Sequence, residues 1–163
     1  MEVSEYNEAV KNHSDSVYRF VLRQLGCADL ASDVIQDTFE KLWLQRHQVE
    51  QKSVKSWLYT IAYRIMIDYI RKNKTRSTFV NNAQKEILLD GSVQNADLKH
   101  TLEVAFEQLS PQQKSVLLLR DYEGYDYMSI AQILQLTEPQ VKVTLYRARI
   151  KMKRILVDLR IHL

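Results

Sequence analysis

Apolar residues recur every three to four positions over long stretches of this chain, and little interrupts them: three glycines and two prolines are spread over 163 residues. Both residue types normally punctuate sheets and tight turns, so a chain this poor in them favours long helices. Val10, Val17, Val21 and Leu25, with Tyr6, Tyr18 and Phe20 beside them, form a first stripe that stops at Gly26. A second begins near Asp29 and sets Leu30, Val34, Phe39, Leu42 and Trp43 against Asp33, Gln36, Asp37 and Glu40 on the other side. After a polar break over residues 45–53, a third runs to about Asn73 on Trp57, Leu58, Ile61, Ile65, Tyr69 and Ile70. The predicted fold class is all-α.

Residues 77–97 turn polar (Asn81, Asn82, Gln84, Ser92, Gln94, Asn95), with a short apolar patch from Ile87 to Leu89, and read as a linker. The expected organisation is therefore two small helical domains, residues 1–76 and 98–163, joined by that segment. Extended at ~3.3 Å per residue, it reaches about 70 Å, roughly two turns of a DNA duplex.

The second block carries its own punctuation. Leu102, Phe106 and Leu109 mark a short helix, and Ser110-Pro111-Gln112-Gln113 places an N-cap serine, a first-turn proline and a capping-box glutamine before a helix reaching about Asp121. A further short helix holds Ile130, Ala131, Ile133 and Leu134, and the turn at Gln135-Leu136 leads to Thr137-Glu138-Pro139-Gln140, again with a capping pattern. Val141 and Leu145 face inward, and small Ala131 lets two helices cross closely, as a helix-turn-helix requires. Gln135 stands at the turn where glycine is often favoured. The outward face of the last helix then offers Lys142, Val143, Tyr146, Arg147, Arg149 and Lys151, a mixture able to meet phosphates and base edges.

Charge supports a polyanionic partner only once it is located. The net value is +3, from 23 Lys+Arg against 20 Asp+Glu. Five basic residues (Arg64, Arg71, Lys72, Lys74, Arg76) lie between 64 and 76 against Asp68 alone, and seven lie between 140 and 160 against Asp158 alone. The first cluster is interleaved with Trp57, Tyr59, Tyr63 and Tyr69, stacking surfaces of the kind that hold unstacked bases. Trp57, Tyr69 and Trp43 are assigned to packing, Tyr59 and Tyr63 to strand contact. Asp33, Asp37 and Glu40, with Gln36 beside them, share one exposed face suited to a basic partner helix.

A lone Cys27 among four scattered histidines forms neither a disulfide nor a metal site, so no cofactor or metal is expected and the compartment is read as reducing. The glycines are isolated, and no nucleophile has a base nearby, which argues against an enzyme. The first thirty residues show no signal-peptide core and no apolar run spans a bilayer, so a cytoplasmic protein without membrane insertion is expected.

Two stretches, Asp29-Leu-Ala-Ser-Asp-Val-Ile-Gln-Asp-Thr-Phe-Glu-Lys-Leu-Trp43 and Ser56-Trp-Leu-Tyr-Thr-Ile-Ala-Tyr-Arg-Ile-Met-Ile-Asp-Tyr-Ile-Arg-Lys72, resemble the second region of bacterial sigma factors of the extracytoplasmic-function group. The stretch from Leu109-Ser-Pro-Gln-Gln-Lys-Ser-Val to Tyr146-Arg-Ala-Arg149 is similar to their fourth region. The resemblance implies a non-catalytic, dissociable subunit of RNA polymerase that recognises the promoter, helps open the duplex and leaves. It assigns Asp33, Gln36, Asp37 and Glu40 to the clamp helices of the polymerase largest subunit, with the β flap as a further contact. It assigns Tyr59, Tyr63, Arg64, Arg71, Lys72 and Lys74 to the minus-ten element, and the loop at 47–53 to a flipped base. Many relatives carry Asn where Arg64 stands. Lys142, Val143, Tyr146 and Arg147 are assigned to base edges of the minus-thirty-five element, and Thr144, Arg149 and Lys151 to phosphates. The resemblance also implies an anti-sigma factor, and with it retention at the inner membrane as an alternative to free residence in the cytoplasm. A competing reading is a helix-turn-helix regulator that binds an operator as a dimer. It accounts for the last helix but leaves the acidic helix and the basic-aromatic third helix unexplained.

Overall fold

The computed structural model of the chain describes residues 1–73 and 96–161. The linker expected at 77–97 lies outside them except for its last two residues, and Lys74 lies outside them too. Among the described residues the elements are helical throughout, and they gather into two compact units.

The first unit holds α1 (Val3–Leu25), α2 (Ala28–Leu44) and α3 (Val54–Asn73). A reciprocal capping box starts α1: the backbone N–H of Glu2 donates to the Glu5 carboxylate at 2.7 Å, and the Glu2 carboxylate accepts from the backbone of Glu5. Gly26 ends it in the left-handed region (φ 66°), where its N–H donates to Leu22 at 2.8 Å and the chain turns directly into α2. Val17, Phe20 and Val21 of α1 meet Val34 and Leu42 of α2 and Leu58, Ala62 and Met66 of α3 in a closed apolar core. Between α2 and α3 the chain makes a short 3₁₀ turn, Gln51–Ser53, pinned from inside by buried Val49.

The second unit holds α4 (Ala96–Glu107), α5 (Pro111–Leu117), α6 (Tyr127–Leu134) and α7 (Glu138–Ile161). The expected capping box of α5 is present: the Gln113 N–H donates to Ser110 Oγ at 3.2 Å while the Ser110 N–H donates to Gln113 Oε1 at 3.1 Å. The helix expected to reach Asp121 as one piece instead widens into a π turn, Leu118–Tyr122. There the Glu123 N–H donates to Leu118 at 3.0 Å, and beyond it the Tyr125 N–H donates to Leu119 at 2.9 Å. Widening the turn seats Leu118 and Leu119 in the core beside Val116, Ile130, Ile133, Val141 and Leu145.

Between α6 and α7 the backbone of Gln135 adopts φ 56°, ψ 47°. Left-handed backbone costs a non-glycine residue about 1–3 kcal/mol, and the cost is accepted because Ile133, Leu134 and Val141 on either side are buried. Gln135→Gly removes the strain and restores part of it as chain entropy in the unfolded state. It is expected to stabilise the second unit by about 1 kcal/mol, read as a shift in the denaturant midpoint at unchanged slope.

Candidate nucleic-acid and partner interfaces

On α2, Asp33, Gln36, Asp37 and Glu40 are all exposed, while Val34, Thr38, Phe39 and Leu42 on the opposite side are buried. Three of the four acidic-face residues line a groove of about 470 Å³ between α2 and α3; Gln36 does not. Leu30, Val34, Ile65 and Tyr69 give the groove apolar surface, and Asp33, Asp37, Glu40 and Asp68 give it negative charge. Leu44, at the end of α2, is 70% exposed and also lines it. A groove that is acidic on balance and carries an uncovered leucine is complementary in chemistry to a surface that is basic beside an apolar edge.

Lys72, expected to face DNA, lines this groove together with Asp68 and Lys41. Arg64 and Arg71 of α3 are exposed, and their seven-residue separation puts them on one side of the helix two turns apart. Tyr63 is half-buried; burial pushes its hydroxyl above the ordinary phenol range, an effect the nearby Arg71 partly offsets. Tyr59 needs a correction. Its side chain is wholly buried, with its ring edge-on to Phe20 at 5.3 Å between centroids, so it holds α3 against α1 and cannot stack on a base.

Trp43, assigned to packing, meets Tyr6 edge-on at 5.0 Å, but part of its ring faces outward beneath the Arg46 guanidinium, 4.1 Å from the centroid. Arg46 also donates to the Trp43 carbonyl at 2.8 Å. This stack opens the loop at 45–53, and sequence reasoning missed it. The available signal was an arginine three residues after a helix-terminal tryptophan.

In the second unit, α7 starts on the expected capping box. The Thr137 N–H donates to Gln140 Oε1 at 2.8 Å, and the Gln140 N–H donates to Thr137 Oγ1 at 3.3 Å. Val141, Leu145 and Ala148 are buried against the rest of the unit, which projects Val143 (46% exposed), Tyr146 (67% exposed) and Arg147 outward. Val143 and Arg147 share a shallow groove with Thr144, Gln140, Pro139, Leu136 and Gln112, the last reaching in from α5. Gln112 was not anticipated. Lys151 is exposed.

The remaining two predicted contacts lie on the flank of α7 and are engaged within the chain. Arg149 makes a bidentate pair with Asp121 of the π turn: Nε donates at 3.3 Å and a terminal nitrogen approaches the other carboxylate oxygen more closely. The carboxylate holds this guanidinium charged and above its ordinary pKa. Arg149 therefore ties α7 to the segment before α6 while its side chain stays half exposed. Lys142 lies 3.8 Å from the Glu138 carboxylate, one turn back.

Among the described residues no group of three or more His, Cys, Asp or Glu side chains is placed to hold a metal ion, and no helix is long and apolar enough to cross a membrane.

Comparison with known proteins accounts for both units. Residues 9–76 match the family model for Sigma-70 region 2, and residues 99–152 match that for Sigma-70, region 4. Among curated proteins, the ECF RNA polymerase sigma factor SigM of Bacillus subtilis (strain 168) is 27% identical over 157 residues, covering 91% of this chain and 93% of SigM. The RNA polymerase sigma factor SigV of the same organism is 30% identical over 148 residues, covering 90% and 87%. Among solved structures, the sigma factor RpoE in its co-crystal structure with the anti-sigma factor NepR from Bartonella quintana shares the fold, with a TM-score of 0.76 at 21% identity over 94% of this chain and 98% of that one. With both regions matched in order and relatives aligned over nearly their full lengths, the chain belongs to the sigma-70 family: it is an RNA polymerase sigma factor of the extracytoplasmic-function group, a subunit of transcription initiation.

Proposed function

We propose that residues 1–76 bind core RNA polymerase through the α2/α3 groove and hold the opened minus-ten strand on α3, that residues 98–163 read the minus-thirty-five element through α7, and that 77–97 connect the two. The observation that carries this reading is the α2/α3 groove itself, which a self-sufficient operator-binding protein would not need. Asp33, Asp37 and Glu40 supply its charge and Leu44 its exposed apolar anchor. Basic, apolar-edged clamp helices of the largest polymerase subunit fit that chemistry.

On α3, Arg64 and Arg71 neutralise backbone phosphates beside the half-buried ring of Tyr63, and the loop at 47–53, exposed except at Val49 and next to the Trp43 and Arg46 stack, receives an extruded base. On α7, Val143, Tyr146 and Arg147 meet base edges, with Thr144 and Lys151 toward the backbone. Arg147 is the candidate for a two-point contact to guanine. The β flap takes the second unit, and an anti-sigma factor, the kind of partner with which RpoE is co-crystallised, binds this protein and holds it inactive. The chain adds no catalytic group; nucleotide addition belongs to the core enzyme.

Run-off transcription with core polymerase and a promoter library tests the assignment. Asp37→Lys reverses an exposed charge without touching the core and is expected to weaken binding to core polymerase roughly tenfold or more, with an unchanged melting curve. Normal transcription by that variant removes the groove from the account. Arg147→Ala is expected to cost ~1–3 kcal/mol at one base position of the upstream element and little elsewhere. Uniform weakening on every sequence would assign Arg147 to the DNA backbone instead. Tight, polymerase-independent binding to a palindromic duplex favours the regulator reading over both.

A further inference from the structure

The ring of Tyr127, the first residue of α6, gathers two cations from different parts of the second unit. The Arg120 guanidinium of the π turn lies 4.5 Å from its centroid, and the Lys142 ammonium of α7 lies 5.4 Å from it. The backbone that carries the ring is anchored on both sides: Arg120 also donates to the Tyr125 carbonyl at 2.9 Å, two residues before Tyr127, and α6 is capped just ahead of the ring by Asp126, whose carboxylate accepts from the Ser129 N–H at 2.7 Å.

An exposed lysine ordinarily samples many rotamers, and ordering it on a ligand is costly. Here two contacts restrict Lys142 before DNA arrives, and neither consumes a hydrogen-bond donor. The face of Tyr127 attracts the ammonium through its quadrupole, and the Glu138 carboxylate at 3.8 Å is beyond hydrogen-bonding distance. The ammonium is thus held in place with its donors still available for a base edge. Arg149 on the same flank shows the contrast, since two of its nitrogens are already spent on Asp121.

We propose that Tyr127 is a positioning residue for promoter discrimination: its aromatic face holds Lys142 ready to read one base pair of the upstream element. This rests on the reading of α7 as the helix that enters the major groove. The role belongs to the ring, and the hydroxyl is dispensable to it.

The test uses the full-length protein with core polymerase, and scores run-off transcription from a library randomised across the upstream element. Lys142→Ala identifies the position that Lys142 reads, and Arg147→Ala identifies a separate one. Tyr127→Phe keeps the ring and is expected to leave every preference unchanged. Tyr127→Leu keeps bulk but loses the quadrupole, and is expected to reduce discrimination at the Lys142 position roughly tenfold while leaving the Arg147 position intact. Combined with Lys142→Ala it is expected to add no further loss. Tyr127→Met, a second variant without a ring, gives the same readout if a melting curve shows Tyr127→Leu to be unfolded. Retained discrimination at the Lys142 position in either variant overturns the proposal. Equal weakening on all sequences by Tyr127→Phe also overturns it, since the hydroxyl would then be gripping the backbone. If Lys142→Ala and Arg147→Ala both leave every preference untouched, the groove-reading role of α7 fails first and the proposal falls with it.

Discussion

Between α6 and α7 the backbone has three residues in which to change direction, and Gln135 enters the left-handed region so that it can. The orientation of everything on α7 follows from this turn. Buried Ile133 and Leu134 before it and Val141 after it fix how the two helices meet, and the Thr137 and Gln140 box fixes the first turn of α7. Once those are set, the helical period leaves Val143, Tyr146 and Arg147 outward and turns Lys142 and Arg149 toward the flank. The outward face of α7 is thus decided by a backbone conformation and by apolar burial, with none of Val143, Tyr146 and Arg147 taking part in either.

Charge in the molecule is arranged by the same separation of duties. In the first unit the carboxylates of α2 and Asp68 of α3 border one groove, and Arg64 and Arg71, one turn to either side of Asp68 along α3, are exposed beside it. The inward residues Leu58, Tyr59, Ala62 and Met66 hold this mixed-charge side of α3 in register with the core. In the second unit several of the positive charges are restrained by ring faces and carboxylates of the same chain. The recognition surface is therefore partly organised before any partner arrives.

The helices and their ends were legible because the signals are local. Periodicity located α1 to α3, and the capping residues Ser110 with Gln113 and Thr137 with Gln140 lie three positions apart, so pattern alone found them. Contacts made with partners far away in sequence were not legible. Whether Tyr59 faced a base or the core was settled by Phe20 of α1 arriving at its edge. The pairing of Arg149 with Asp121 spans 28 positions, and periodicity carries no information about it. The π turn was illegible for a related reason: its wider hydrogen bonding is chosen so that Leu118 and Leu119 both reach the core, a demand of packing that the residues' own helix preference does not reveal.

The pair between Arg149 and Asp121 has one more consequence. Affinity for a duplex falls with added salt in proportion to the number of condensed counterions that basic side chains displace from the phosphates. A guanidinium already neutralised by a carboxylate of its own molecule displaces few of them, so on the proposed docking of α7 a count of its lysines and arginines overstates the ionic-strength sensitivity. The clasp trades some long-range attraction for rigidity, and in that docking leaves shape and base chemistry a larger share of the discrimination.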